Sequence, residues 1–387
     1  MNESISRVLK DWIPYRLLEE GNSCSCRWLY LGDEEITDPF FDETIARCKR
    51  LSHNSRITKC VSSIEILPEW AQQVESISPT AIIFHISRCG STLVSQLLSL
   101  QPSNIVLSEV PLFDELLRWG NKNNEMQMTL PLLKAAIDLY GAKRNEKSEY
   151  LFIKTDSWHI HFYQQLRKLY PQIPFILLYR KPDEVIRSQQ KRRGMQSIPG
   201  LLEPEIFGFN KNQILQSGLD DYMVRVVETY LQAFIEVLNT DKLALPVNYN
   251  EGAFCIVNKI AGVTGITIND EQKSAMRQRS TFHAKYPEQV FVEEELKEPA
   301  PVFLNKAFAL YKEIECKSNR LPGFKIVILP CFHHTIMLSY NPAHILIRFD
   351  NGKISKIEKG RVNITFNTIV QFAEALKVKV SELMDID

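Results

Sequence analysis

The run Ser87-Arg88-Cys89-Gly90-Ser91-Thr92 has the chemistry of an anion cradle. It separates an apolar stretch, TAIIFHI, from a stretch with leucines at helical spacing, STLVSQLLSL. A loop between a strand and a helix aims backbone N–H groups, and the positive end of the helix dipole, at one point. Gly90 permits close backbone approach, Ser91 and Thr92 offer hydroxyl donors, and Arg88 adds a permanent charge on a forked donor. The phosphate-binding pattern Gly-x-x-x-x-Gly-Lys-Ser/Thr is absent. A helix cap with a solvated arginine is the plainer reading of these residues taken singly. The cradle reading gains from a second pair. Arg180 closes the apolar run PFILLYR, and Ser188 follows eight residues later. At ~3.6 residues per turn, Ser188 lies about two turns into the next helix, where it and Arg180 could clamp one phosphate.

Residues this far apart need a scaffold that gathers them. From Thr80 the sequence alternates short apolar runs with amphipathic ones. TAIIFHI, NIVLSE, YLFIK, PFILLYR and LALPVNY read as strands. STLVSQLLSL, PLFDELLRW, HIHFYQQLRKLY, PDEVIRSQQKRR and LDDYMVRVVETYLQAFIEVLN read as helices. Pro111 and Pro182 suit first helical positions, and Asp183 and Glu184 suit the first turn. The stripe Val226, Tyr230, Phe234 and Val237 marks a core-facing helix. This rhythm predicts an α/β fold with a doubly wound, mostly parallel sheet. In such a sheet, ligands sit at the carboxyl ends of the strands. Arg180 is there, and so are Glu109, after the second strand, and Lys154, at the end of the third.

Together the two signatures resemble those of the PAPS-dependent sulfotransferases (PAPS, 3′-phosphoadenosine 5′-phosphosulfate). That family carries a loop of type Lys/Arg-x-Gly-Ser/Thr-Ser/Thr, here RCGST. It also has a strand-end Arg with a Ser eight positions on, here RKPDEVIRS. The resemblance implies that Arg88, Cys89, Gly90, Ser91 and Thr92 bind the 5′-phosphosulfate, and Arg180 and Ser188 the 3′-phosphate. It implies Glu109 as the base for the acceptor proton, and Lys154 as a charge beside the departing phosphate or the transferred group. PAPS would be the co-substrate and adenosine 3′,5′-bisphosphate the product, with no metal expected, since no acidic set of Mg²⁺ character stands near the loop in the sequence. His85 and His159 read as structural. Lys191, Arg192 and Arg193 read as a solvated helix end, and Arg277 to Lys285 as a basic strip that could return to the nucleotide.

The remainder bounds the answer. Residues 1–78 form an N-terminal segment of unknown role, read as a short β/α unit, and 79–320 the sulfotransferase-like domain. Residues 321–350 are an apolar connector without helical period. Residues 351–387 look like the last part of a Cro/repressor-type helix-turn-helix domain, with Ile354, Ile357, Ile369, Phe372, Ala373, Leu376, Val380 and Leu383 at its core positions. The helices that should precede this part are missing, so DNA binding could come only through a partial tail. Lys plus Arg equals Asp plus Glu, at 46 each, so the charge balance gives no reason to expect nucleic acid. Eight dispersed cysteines suit free thiols. The N-terminus MNESISRVLKDWIPYR has no leader-like apolar run, and no stretch reaches the ~18 residues of a membrane span. A soluble, cytoplasmic enzyme is the expectation, its acceptor and oligomeric state unknown. The alternatives are an atypical P-loop kinase or phosphotransferase and a DNA-binding regulator.

Overall fold

The structure is a computed structural model. It describes residues 6, 8–20, 23–55, 60–210, 218–282, 284, 289, 302–318, 324–327, 335–340 and 343–348. The chain opens with an antiparallel ribbon of β1 (Trp12–Glu20), β2 (Ser23–Tyr30) and β3 (Val61–Ser63), with helix α1 (Phe41–Cys48) between the last two. The alternating part then runs β4 (Pro79–His85), α2 (Ser91–Ser99), β5 (Asn104–Ser108), α3 (Pro111–Lys122), α4 (Met126–Tyr140), β6 (Tyr150–Lys154), α5 (Tyr163–Leu169), β7 (Phe175–Tyr179), α6 (Pro182–Lys191), α7 (Leu219–Thr240), β8 (Ala244–Asn248), α8 (Ala253–Thr264), α9 (Asp270–Ser280) and α10 (Asn305–Ser318).

Every pairing in the main sheet is parallel, in the order β5-β6-β4-β7-β8. Neighbouring residues in a strand face opposite sides of the sheet. Ile82, Ile83 and Phe84 in β4, and all five residues of β7, are fully buried. Both faces are therefore covered, which is why these segments are apolar without alternation. The chain leaves β4 for β5 on one side, returns through β6, then crosses to β7 and β8 on the other. Registers such as Ser108↔Lys154, His85↔Leu178 and Tyr179↔Asn248 bring the five carboxyl ends to one edge.

Two segments differ from the sequence reading. The helix expected from His159 starts as 3₁₀ turns over Ser157–Phe162 and becomes α-helical only at Tyr163. Trp158 and His159 are held there by hydrogen bonds to Asp114 of α3. α6 stops at Lys191 because Arg192 is extended, so Arg192 and Arg193 belong to the following loop.

The N-terminal ribbon shares the core of the sheet. Ile13, Trp28, Leu29 and Phe41 join the same buried cluster as β4 and β7. The Tyr140 hydroxyl donates to the Pro14 carbonyl at 2.7 Å, and the Leu17 N–H donates to Glu115 at 2.6 Å. Within 321–350 the apolar sequence forms β9 (Phe324–Val327), β10 (Thr335–Tyr340) and β11 (Ala343–Arg348), paired antiparallel. The helical tail expected over 351–387 lies outside the described residues. Among the described residues no helix is long and apolar enough to cross a membrane, and the cysteines other than Cys331, which falls outside them, are free thiols.

Candidate active site

A cleft of about 860 Å³ opens at the carboxyl edge of the sheet. Ser87, Arg88, Gly90, Ser91, Thr92, Glu109, Arg180 and Ser188 line it together. Residues separated by a hundred positions are thus gathered because β4, β5 and β7 end at the same level.

The loop after β4 is held in an unusual backbone conformation. Ser87 (φ 66°), Arg88 (φ 50°) and Gly90 (φ 75°) all have positive φ. For the two non-glycine residues this costs ~1–2 kcal/mol each, and such positions persist only where the surroundings enforce them. Here the enforcement is visible. The Ser87 hydroxyl accepts from the side-chain amides of Gln189, at 2.9 Å, and Gln196, at 2.7 Å. The Ser87 N–H donates to His85 Nδ1 at 3.1 Å. Gln189 in turn accepts from the Gly194 N–H at 2.9 Å. α6 and the loop after it therefore hold the loop after β4. At Gly90 a Cβ would collide with the ring of Tyr249, so the position has no room for a side chain.

The basic wall consists of Arg88, Arg180, Lys191, Arg192 and Arg193. Arg88 hydrogen-bonds the Arg192 carbonyl, and burial with the nearby Arg192 charge depresses its pKa. Arg180 pairs with Glu184 at 2.6 Å and stacks over Tyr249 at 4.2 Å. Tyr249 thus touches both Gly90 and Arg180, linking the two signatures. Cys89 is not part of the wall. It is fully buried, its Sγ faces the Leu178 carbonyl at 3.4 Å, and burial pushes its thiol up to about 12. From this residue only the backbone is available to a ligand.

Opposite stands a carboxylate wall. Glu109 has φ 54°, and its N–H donates to the Lys154 carbonyl at 2.8 Å. Its Oε1 is ion-paired with Lys154 and lies 3.5 Å from His85 Nε2. Burial by itself would raise the Glu109 pKa. The Lys154 ammonium and the His85 hydrogen bond outweigh it and hold the group well below the usual carboxylate range. Lys154 is 0% exposed. It lies beneath Glu109 and over the Phe40 ring rather than in the cleft lining. His85 accepts the Ser87 N–H at Nδ1, so its proton resides on Nε2, which faces the Thr155 carbonyl at 2.9 Å. A histidine held in this way is neutral and cannot take a further proton at either nitrogen without breaking a bond.

Asp114, Asp156 and Trp158 also line the cleft. Ligand atoms of Asp114, Asp156 and His159 lie within 4.8 Å of one another, a grouping able to hold a metal ion. This acidic set comes together only in space, against the expectation from the sequence that none stands near the loop; the Asp156-Ser-Trp-His159 spacing is its one local sign. His159 Nε2 donates to Asp114 at 3.0 Å, as does Trp158 Nε1 at 2.5 Å. Among the described residues, nothing donates a hydrogen bond to the Asp156 carboxylate, and its closest ion-pair partner is His159 Nε2 at 3.8 Å. Burial and then the charges of Glu109 and Asp114 raise its pKa well above the ordinary value. From the N-terminal ribbon and the segment after it, Arg16, Phe40 and Asp42 reach the cleft, and so do Phe282 and Ala284 after α9. Arg277 and Arg279 do not; they contact Phe254 and Gln96 instead.

No family model and no curated protein matches the chain. Solved structures with a similar fold include a sulfotransferase from Mycobacterium avium (15% identity, TM-score 0.42, covering 71% of this chain and 82% of that one). Another is the sulfotransferase domain from the curacin biosynthetic pathway (13%, TM-score 0.40, 62% and 99%). A third is a sulfotransferase from Alicyclobacillus acidocaldarius (13%, TM-score 0.37, 63% and 95%).

Proposed function

We propose that the cleft is the active site of a sulfotransferase that moves a sulfuryl group from PAPS to a hydroxyl or amine. The observation that carries this reading is the meeting, in one cleft, of an anion cradle, a strand-end arginine with its serine, and a half-buried ionised carboxylate. The cradle suits the donor. Gly90 leaves its backbone bare, Ser91 and Thr92 present hydroxyls at the N-terminus of α2, and Arg88 stands beside them. Arg180 and Ser188 would hold the 3′-phosphate.

In the transfer, the acceptor oxygen or nitrogen forms a bond to sulfur while the bond from sulfur to the bridging phosphate oxygen breaks. The electron pair leaves on that phosphate, where Arg88 and the loop N–H groups offset the charge. The acceptor proton goes to Glu109. A carboxylate with a depressed pKa is a weak base, but the acceptor becomes strongly acidic as its bond to sulfur forms, so a weak base in place suffices. Lys154 serves here as a positioning residue: it keeps Glu109 ionised and fixes Oε1, leaving Oε2 for the acceptor. The kinase alternative lacks the lysine of the nucleoside-triphosphate loop, and the DNA-binding alternative rests on the tail alone.

The reading is tested by incubating the protein with PAPS and mixed hydroxyl and amine acceptors in EDTA, following release of adenosine 3′,5′-bisphosphate. Acceptor-dependent release that disappears in Glu109→Gln supports it. Turnover of ATP with strict Mg²⁺ dependence, and none of PAPS, would replace it with phosphoryl transfer.

A further inference from the structure

One buried side chain, His85, touches both walls of the cleft. It ends β4 and lines the cleft beside Ser87 and Glu109. Its two ring nitrogens serve opposite sides. Nδ1 accepts the Ser87 N–H at 3.1 Å, which helps to hold the first residue of the cradle at φ 66°. Nε2 lies 2.9 Å from the Thr155 carbonyl and 3.5 Å from Glu109 Oε1. A neutral imidazole has one donor and one acceptor. An acceptor at Nδ1 therefore requires the proton on Nε2, between the carbonyl and the carboxylate. The opposite tautomer would lose the Ser87 bond and set a bare lone pair at Nε2 against two oxygens. An imidazolium would point an Nδ1 proton at the Ser87 N–H. Burial, joined by the nearby Lys154 ammonium, holds the ring pKa below its ordinary value and disfavours that form. One proton position satisfies both walls.

Resting on the sulfotransferase reading, we propose that His85 is a positioning residue for the transfer. Its Nδ1 sets the backbone that grips the donor, and its Nε2–H, beside Lys154, sets Glu109 toward the acceptor. It neither gives nor takes a proton. The ring is rigid, so it fixes the loop after β4 and the base at one separation, and a reaction between two bound molecules depends on that separation.

Two amide variants separate the two nitrogens. The asparagine carboxamide oxygen is as many bonds from Cβ as Nδ1, and the glutamine carboxamide nitrogen as many as Nε2. His85→Asn therefore keeps an acceptor for Ser87 and loses the donor to Glu109. His85→Gln keeps the donor and loses the acceptor. A hydrogen bond to a charged group is the stronger of the two, so kcat with PAPS should fall about tenfold in His85→Asn, with bisphosphate affinity as in the parent protein. In His85→Gln the calorimetric affinity for adenosine 3′,5′-bisphosphate should fall about fivefold, with kcat close to the parent value. A merely structural histidine gives a different pattern: both variants lose rate and affinity together, in step with their thermal stability. That result overturns the proposal, and so do variants indistinguishable from the parent. Nitrogen NMR of the parent chain checks the same point without a substitution. With bisphosphate bound, the His85 ring should show a protonated Nε2 and a bare Nδ1; the other tautomer, or an imidazolium at neutral pH, overturns the proposal. A parent chain that neither binds bisphosphate nor releases it from PAPS is a different failure and strikes the sulfotransferase reading itself.

Discussion

The two walls of the cleft solve opposite problems with opposite means. The basic wall is assembled from backbone. Ser87, Arg88 and Gly90 are forced into positive φ, and Gln189, Gln196 and Tyr249 keep them there. The carboxylate wall is assembled from side-chain pairs, with Glu109 on Lys154, Asp114 on Arg118 and Glu115 on Arg16. Within it, two carboxylates are driven apart in acidity. Glu109 is held ionised, and Asp156 is pushed toward its neutral form. The difference teaches that a fixed, polyanionic nucleotide can be read by rigid backbone and permanent charge. A reacting acceptor needs groups whose protonation is set one by one.

The comparison breaks first at Glu109. Glu109→Gln should lower the transfer rate by ~10²–10⁴-fold, the usual worth of a positioned proton acceptor, with bisphosphate affinity unchanged in the same preparation. A loss of nucleotide affinity instead would mean that the carboxylate wall also serves the donor. Next is Arg88→Ala, which removes a charged hydrogen-bond donor worth ~1.5–3 kcal/mol. Steady-state kinetics should show kcat/KM for the donor reduced by about 10–150-fold. Third is Gly90→Ala. Left-handed backbone costs a side-chain-bearing residue ~1–2 kcal/mol, and Tyr249 must move as well, so thermal unfolding should shift downward and nucleotide binding weaken.

The smallest effect is on pH dependence, and its sign separates the two carboxylates. Glu109 has a depressed folded pKa, so its contribution is present above its unfolded value of ~4.3 and is lost as pH falls through the folded one. Asp156 has a raised folded pKa, so its contribution is present below its unfolded value of ~3.9 and is lost as pH rises through the folded one. Asp156→Asn should therefore stabilise the protein at pH 8 relative to the parent and give no gain below pH 4. Denaturant melts at the two pH values check this; a variant equally destabilised at both would show that Asp156 is an ordinary structural carboxylate.

Much of the scaffold was legible because it is local. TAIIFHI and PFILLYR announce strands covered on both faces, Pro111 and Pro182 mark helix starts, and a cradle between strand and helix follows from adjacency alone. The sheet edge then brings Arg180, Ser188 and Glu109 to the loop, as the strand-end rule requires. Contacts made only in three dimensions were not legible. Tyr249 touches Gly90 from a different strand end, Gln189 and Gln196 hold Ser87 across a hundred residues, and Asp42 arrives from a segment with no motif. Lys154 was recognised by its place at the end of β6, but its side chain turns inward to Glu109, because a buried ammonium needs a partner more than it needs the cleft.

The central claim is that the basic wall is a nucleotide site for a 3′-phosphorylated donor. Calorimetric titration with adenosine 3′,5′-bisphosphate in metal-free buffer, beside an Arg180→Ala variant, tests it most directly. The account predicts micromolar binding in the parent chain and at least a tenfold loss in the variant. No binding by the folded parent, or equal binding by the two, would contradict it.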